Sequence, residues 1–403
     1  MRLTTASTLL ALALCLGGCG LSETEEMERD LYNRNGLSYY QNGQYDRARD
    51  QFERSLTIDP DQQEARLLLA YSYLLAPEGN LILDAYEAFQ VCAEDYGDDF
   101  RAHLGLGVAC FLFGVYYEME AQQKEDEAAG RREAYEKDEV KRDSDLREIE
   151  RLDAEAEKDR WRTGEWYAEA DPSLRRAQEI EPKNPFLMQM VAFNLVKLGA
   201  ARFPEAEKYL AMFVEFRGKD IAAYHANLEN AKHQGILTIE EERDTELAIR
   251  DVAKEIRKAR SFIAYMHYTQ AVQQGVSARA SEEHLAIAER ELREAAIVDP
   301  TNPIPHLNQF HVYWKQALLA EEQGNAEELA KYMGLAKNEL YLFTQMNQFQ
   351  RPDLNVFARE TIGGIESVLQ KIEKKPEEKE GDGGEGEGEG AAPGDSGTPR
   401  ENR

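Results

Sequence analysis

From residue 29 onward, apolar and small side chains recur every three or four positions, and the runs close on one short phrase. Ile58-Asp59-Pro60, Ile180-Glu181-Pro182 and Val298-Asp299-Pro300 each end one amphipathic run and precede another. The last two continue as Lys183-Asn184-Pro185 and Thr301-Asn302-Pro303. A three-to-four period is that of a helix with one buried face. A proline just past a helix blocks its extension, and an Asn-Pro pair starts the next. No proline occurs between Pro77 and Pro172, so long helices are expected there. The pattern predicts an all-α chain made of consecutive helices.

Residues 29–62 repay closer reading. Going back from Pro60, the residues Ser55, Phe52, Ala48, Tyr39, Gly36 and Tyr32 stand at fixed offsets. Gly36 and Ala48 are small enough to let two helices cross closely. Tyr39 and Phe52 fill the space between them, and Gly43 supplies the turn. This order resembles the tetratricopeptide repeat (TPR) of about 34 residues. Six of its eight usual positions match, and Asn35 stands where Leu is usual. A second repeat opens at Gln63, with Leu69, Ala70, Tyr73, Ala85, Phe89 and Cys92, and Pro77-Glu78-Gly79-Asn80 lengthens its turn. A third opens near Phe100 with Leu106, Gly107 and Cys110, but its closing half waits until Ala170, Leu174 and Ala177. Gly107 and Ala170 lie 63 residues apart, so about 51 residues are inserted between the two helices of one repeat. A fourth repeat runs from Pro185, and residues 220–256 are helical but degenerate as a repeat. Residues 258–302 recover the pattern, and a final pair spans Pro303 to Met346 before a capping helix at Leu354 to Lys374.

The insertion holds 17 acidic and 10 basic residues between positions 118 and 160. Acid-to-base pairs at i,i+4 recur, as in Glu120–Lys124, Glu127–Arg131, Glu133–Lys137, Asp138–Arg142 and Asp143–Arg147. Apolar residues are few: Tyr135, Val140, Leu146, Ile149 and Leu152. Because the insertion returns to its starting point, it should form an antiparallel coiled-coil-like hairpin with its corner around Glu139 to Asp145. It serves as a solvated spacer or as an arm touching a partner or a second copy of the chain, with a disordered segment as the third alternative.

The first residues are an address. Arg2 precedes an apolar stretch, Leu9 to Leu16, too short to cross a membrane. Leu16-Gly17-Gly18-Cys19 resembles the bacterial lipobox. That resemblance implies cleavage before Cys19, a lipid on its thiol, and a place on the periplasmic side of the outer membrane. No apolar run after residue 20 is expected to span a bilayer. The expected organisation is a signal peptide at 1–18 and a lipidated Cys with a short linker at 19–27. TPR repeats at 28–117 and the charged helical insertion at 118–163 follow. TPR and TPR-like repeats then occupy 164–350, the capping helix 351–375 and a disordered acidic tail 376–403. The fold class is an all-α, right-handed TPR solenoid carrying that insertion and tail.

Asp plus Glu number 76 against 48 Lys plus Arg, a net charge of -28. Phosphate backbones are repelled by such a surface, so a nucleic-acid partner is not expected. The seven histidines form no HExxH and no i,i+4 pair, and there is no P-loop or GxSxG. The one GxGxxG match, Gly381 to Gly386, lies in the acidic tail. No enzyme, cofactor or metal is expected; the alternative is an envelope enzyme built on a helical-repeat scaffold. Of four cysteines, Cys92 and Cys110 remain for the folded part. Their helices should pack together, so either a disulfide or a pair of buried thiols fits. Carried over from the TPR family, the side chains lining the concave groove are Asn33, Leu37 and Tyr40 in the first repeat and Leu67, Tyr71 and Leu74 in the second. Phe186, Phe193 and Val196 follow in the fourth, with His311 and Trp314 in the last. An apolar, aromatic lining of this kind marks a binding surface. Anchor and repeats together resemble the TPR lipoproteins that assist assembly of pili, secretins or exopolysaccharide exporters and those that dock cell-wall hydrolases, and that resemblance implies a membrane-anchored scaffold for protein partners in an envelope machine.

Overall fold

The computed structural model describes residues 21–76, 81–137, 142–273, 275–347 and 352–373. The signal peptide, Cys19, the Pro77–Asn80 turn, Asp138, Val140 and the acidic tail lie outside these residues. Among the described residues there are thirteen α-helices and no strand. In the first unit they are α1 (Glu23–Gln41), α2 (Tyr45–Ile58), α3 (Gln63–Leu74), α4 (Ile82–Asp95), α5 (Phe100–Lys137), α6 (Asp143–Ile180), α7 (Pro185–Lys197), α8 (Phe203–Gln234), α9 (Ile239–Val272) and α10 (Ala278–Val298). The second unit holds α11 (Ile304–Glu322), α12 (Ala326–Met346) and α13 (Pro352–Glu373). The division falls after Pro300, inside the block expected to be continuous over 164–350.

The helices begin and end where the local chemistry dictates. Ser22 and Glu25 form a reciprocal capping box at the start of α1, and Thr238 and Glu241 do the same for α9. Asn184 accepts hydrogen bonds from the Phe186 and Leu187 amides, with Pro185 in the first turn, so the Asn-Pro signal does start α7. Gly235 ends α8 in the left-handed conformation at φ 66°, which costs a glycine little. The acid of the repeated phrase also has a role. Asp59 accepts from Arg29 at 3.1 Å and Asp299 from Arg257 at 2.9 Å, tying the end of a second helix to the helix before it.

Close crossings rest on small residues facing large rings. A Cβ on Gly36 would meet Phe52 at 2.7 Å, and one on Gly105 would meet Phe89 at 2.1 Å. Further along α5, Gly107 faces Leu174 and Gly114 faces Tyr167 of α6. One apolar core then runs without a break from Leu104 and Cys110 through Leu174, Leu187, Leu195 and Phe213 to Ile263 and Met266. The second unit has its own core around Phe310, Tyr313, Leu340, Phe343 and Ile365. There α13 caps the unit as expected, beginning at Pro352.

One expectation is corrected. By length and composition alone, α5 does contain an 18-residue stretch apolar enough to cross a membrane. In the fold, that helix turns Ala102, Gly105, Gly107, Ala109, Cys110 and Gly114 inward against other helices, so its apolar character is that of a core helix. The region 220–256 is helical, as the periodicity predicts. It is the continuous end of α8 and the start of α9, largely exposed apart from Leu228, Val252 and Ile256.

Candidate binding surface

The inserted segment is a helical hairpin continuous with the third repeat. Each arm belongs to one 38-residue helix, α5 or α6. The pairs Glu118–Tyr167, Glu125–Arg160 and Arg132–Asp153 all reflect about one point between residues 142 and 143, so the arms run antiparallel in constant register. Between the arms lie Ala128, Ile149 and Leu152, with Ala121 and Ala156 also buried. Alanines in the seam allow close approach, as small residues do in other helix pairs. Gly114, Ala121, Ala128 and Tyr135 are seven residues apart. That heptad spacing was the signal for the seam, overlooked because alanine reads as neutral. Lys124 pairs with the buried Asp159, and three of the expected surface pairs form: Glu120–Lys124, Glu127–Arg131 and Glu133–Lys137. Arg147 instead donates to the Asp143 carbonyl. With Ile149 and Leu152 spent internally and only Leu146 exposed among its described large apolar residues, the distal arm presents mainly charge.

The root of the hairpin differs. Tyr167 is buried and donates to Glu118, which also accepts two bonds from Lys197 of α7 at 2.6 and 2.8 Å. Burial and the Glu118 carboxylate push the Tyr167 phenol far above its ordinary value, so it stays protonated. On the other side of the root the aromatics come to the surface. Phe113 stacks on Trp166 at 4.5 Å between centroids, and Tyr86 of α4 meets Trp166 edge-on at 5.4 Å. Trp161 is 64% exposed one turn away. Arg162 lies over the Tyr117 ring at 5.2 Å and pairs with Asp159 at 3.3 Å. Tyr86, Tyr117, Trp161, Arg162 and Trp166, with the exposed Glu165 and Glu169, line an open recess. None of them was among the expected groove residues.

The expected groove is only partly open. Leu37 and Phe186 are exposed, and Tyr40 and Leu74 are half-buried. Tyr71 packs edge-on against Phe89 at 4.8 Å and donates to the Arg101 carbonyl at 2.8 Å, linking α3 to α5. Asn33 is engaged with Gln62 at 2.5 Å. Leu67 and Val196 are corrected: both are buried in apolar clusters and face no groove. The ring of Phe193 is covered by Phe262 of α9 at 4.4 Å, because the long α9 returns across α7. In the second unit His311 is exposed beside Phe310 at 4.9 Å, and Trp314 is half-buried against that unit's core.

One feature escaped sequence reading. His267 and His284, 17 residues apart on neighbouring helices, bring their Nδ1 atoms to 2.9 Å, and Glu207 lies 3.3 Å from His267 Nε2. No group of three such ligands converges among the described residues. Cys92 and Cys110 are free, buried and in separate clusters, so the disulfide alternative is set aside. Burial pushes the Cys92 thiol up to about 11 and Cys110 up to about 12.

Residues 29–62 match the tetratricopeptide repeat family. A sequence search of curated proteins finds no match. Among solved structures, a thermophilic TPR protein of Thermus thermophilus is 15% identical, with 70% of this chain and 98% of that chain covered and a TM-score of 0.35. MamA MSR-1 C2 is 16% identical, over 68% and 97%, with a TM-score of 0.36. Pseudomonas aeruginosa pilF is 12% identical, over 88% and 96%, with a TM-score of 0.25. Such loose likenesses carry nothing about partners. One stretch, residues 29–62, thus matches the repeat itself, and the helix pairs of the described residues form an all-α fold of TPR solenoid type, a fold that typically serves as a non-catalytic scaffold for protein–protein interaction.

Proposed function

We propose that the chain is a lipid-anchored docking scaffold of the bacterial envelope. Acyl chains on Cys19 hold it at the periplasmic side of the outer membrane. It recruits protein components of an envelope machine, such as a pilus, secretin, exopolysaccharide exporter or cell-wall hydrolase complex. The observation that carries this reading is the conjunction of a lipobox with a TPR beginning almost at once. The first helix starts at Glu23, four residues past Cys19, a reach of at most ~14 Å. First helices that keep Leu37 and Phe186 exposed support docking. The charged outer faces of the hairpin favour a solvated arm over an apolar contact with a second copy. Membrane fractionation of Cys19→Ser tests the anchor: the variant should leave the membrane fraction as a soluble periplasmic protein. Its retention on membranes stripped of other proteins would overturn the anchor.

A further inference from the structure

We propose that the open recess at the hairpin root receives an arginine or lysine side chain from an extended segment of a protein partner. This rests on the docking reading above and names the chemistry of one contact. Three observations converge. First, Trp161, Glu165 and Glu169 follow one another at i,i+4 along one exposed face of α6, so an indole and two carboxylates share one surface. Second, neither Glu165 nor Glu169 has an ion pair of its own among the described residues, although most carboxylates along this hairpin do. Third, Trp166 and Tyr86 supply further ring edges and faces around the same opening. Aromatic faces attract cations, and paired carboxylates give a guanidinium two charge-assisted hydrogen bonds.

The recess already shows this chemistry once, within the chain. The Arg162 guanidinium sits over Tyr117 while Asp159 takes its charge. Arg162 therefore leaves the two glutamates uncompensated, and the recess keeps a net negative charge. The chain's net charge of -28 draws basic segments toward it from a distance. A neutral glycan would also stack on exposed tryptophan and donate its hydroxyls to the carboxylates, but it gains no charge pairing from them, as a guanidinium or ammonium does.

The chain has three tryptophans, and Trp314 lies outside the first unit, so the indole N–H resonances carry their own control. The full chain, labelled with 15N-tryptophan, is titrated with the capped peptide acetyl-Ala-Arg-Ala-amide and with its uncharged citrulline counterpart. Trp161→Phe and Trp166→Phe assign the signals. The Trp161 and Trp166 resonances should move to saturation while Trp314 stays still. Citrulline in place of arginine, or the double change Glu165→Gln/Glu169→Gln, should weaken binding by about tenfold or more. Equal shifts with both peptides, shifts at all three tryptophans, or shifts with chitotriose but not with arginine would overturn the proposal. Those outcomes leave the scaffold reading standing; that reading fails on its own if no partner is captured in the envelope.

Discussion

Tyr167 donates its phenol hydrogen bond to Glu118, 2.8 Å away and 49 residues earlier in the chain. The bond closes the base of the inserted hairpin, and Lys197 locks it to the next repeat. Removing the hydroxyl alone, in Tyr167→Phe, should cost about 1–3 kcal/mol, with Glu118 still held by Lys197. Tyr167→Ala should cost ~3–5 kcal/mol, because it also empties the space that Gly114 vacates. Urea unfolding of the two variants measures the difference.

Excising residues 120–160 and joining the ends with a short turn should leave cooperative thermal unfolding by circular dichroism intact. The packing residues Gly107, Gly114, Tyr167 and Leu174 all lie outside the deletion. A broad, non-cooperative transition would show that the arm belongs to the core.

Gly105→Ala and Gly130→Ala should move stability in opposite directions. A methyl at Gly105 collides with the buried Phe89 ring, and overpacking of that kind costs ~1–3 kcal/mol. Nothing lies within 4 Å of a Cβ at Gly130, so alanine there should gain up to ~1 kcal/mol from helix propensity. Chemical denaturation midpoints check both signs.

Acid should loosen the contact between α6 and α8 through Glu205. Arg175 donates to both Glu205 oxygens, at 2.6 and 3.0 Å, and also to Asp171. The Arg175 bonds hold Glu205 below its ordinary 4.5 in the folded chain. The unfolded chain therefore binds the proton more readily. The stabilisation is present above the unfolded value and is lost as pH falls through the depressed folded one. The stability difference between wild type and Glu205→Gln should be flat above about pH 5 and shrink below it. A difference that grew in acid would contradict the assignment.

In the native chain, Cys92 and Cys110 should resist maleimide at neutral pH. Both should be labelled in denaturant without reductant, since the thiols are free, buried and raised in pKa. Peptide mapping after labelling reads each site separately.

Much of this fold was legible because TPR packing is written in residue size. Gly36 against Phe52 and the Asn184-Pro185 start could be read from spacing alone. The antiparallel course of the hairpin's two arms was legible too, since an insertion between packed neighbours must return. Burial within the groove was not. Leu67 and Val196 hold groove positions in the family, yet each is covered by neighbours that spacing does not reveal. Phe193 is covered by α9, a long helix whose course no repeat pattern predicts. The aromatic recess was missed for a related reason. Tyr86, Phe113, Tyr117, Trp161 and Trp166 come from three helices, and only the hairpin's register brings them together.

The proposed docking of envelope proteins on the exposed first-helix face is open to a direct test. Photo-crosslinking residues placed at Leu37 and Phe186 in living cells, with Val91 and Ile297 as exposed second-helix controls, test it most directly. Leu37 and Phe186 should capture one and the same envelope protein, and the controls should not. Equal capture from all four positions, or none from the first-helix pair, would contradict it.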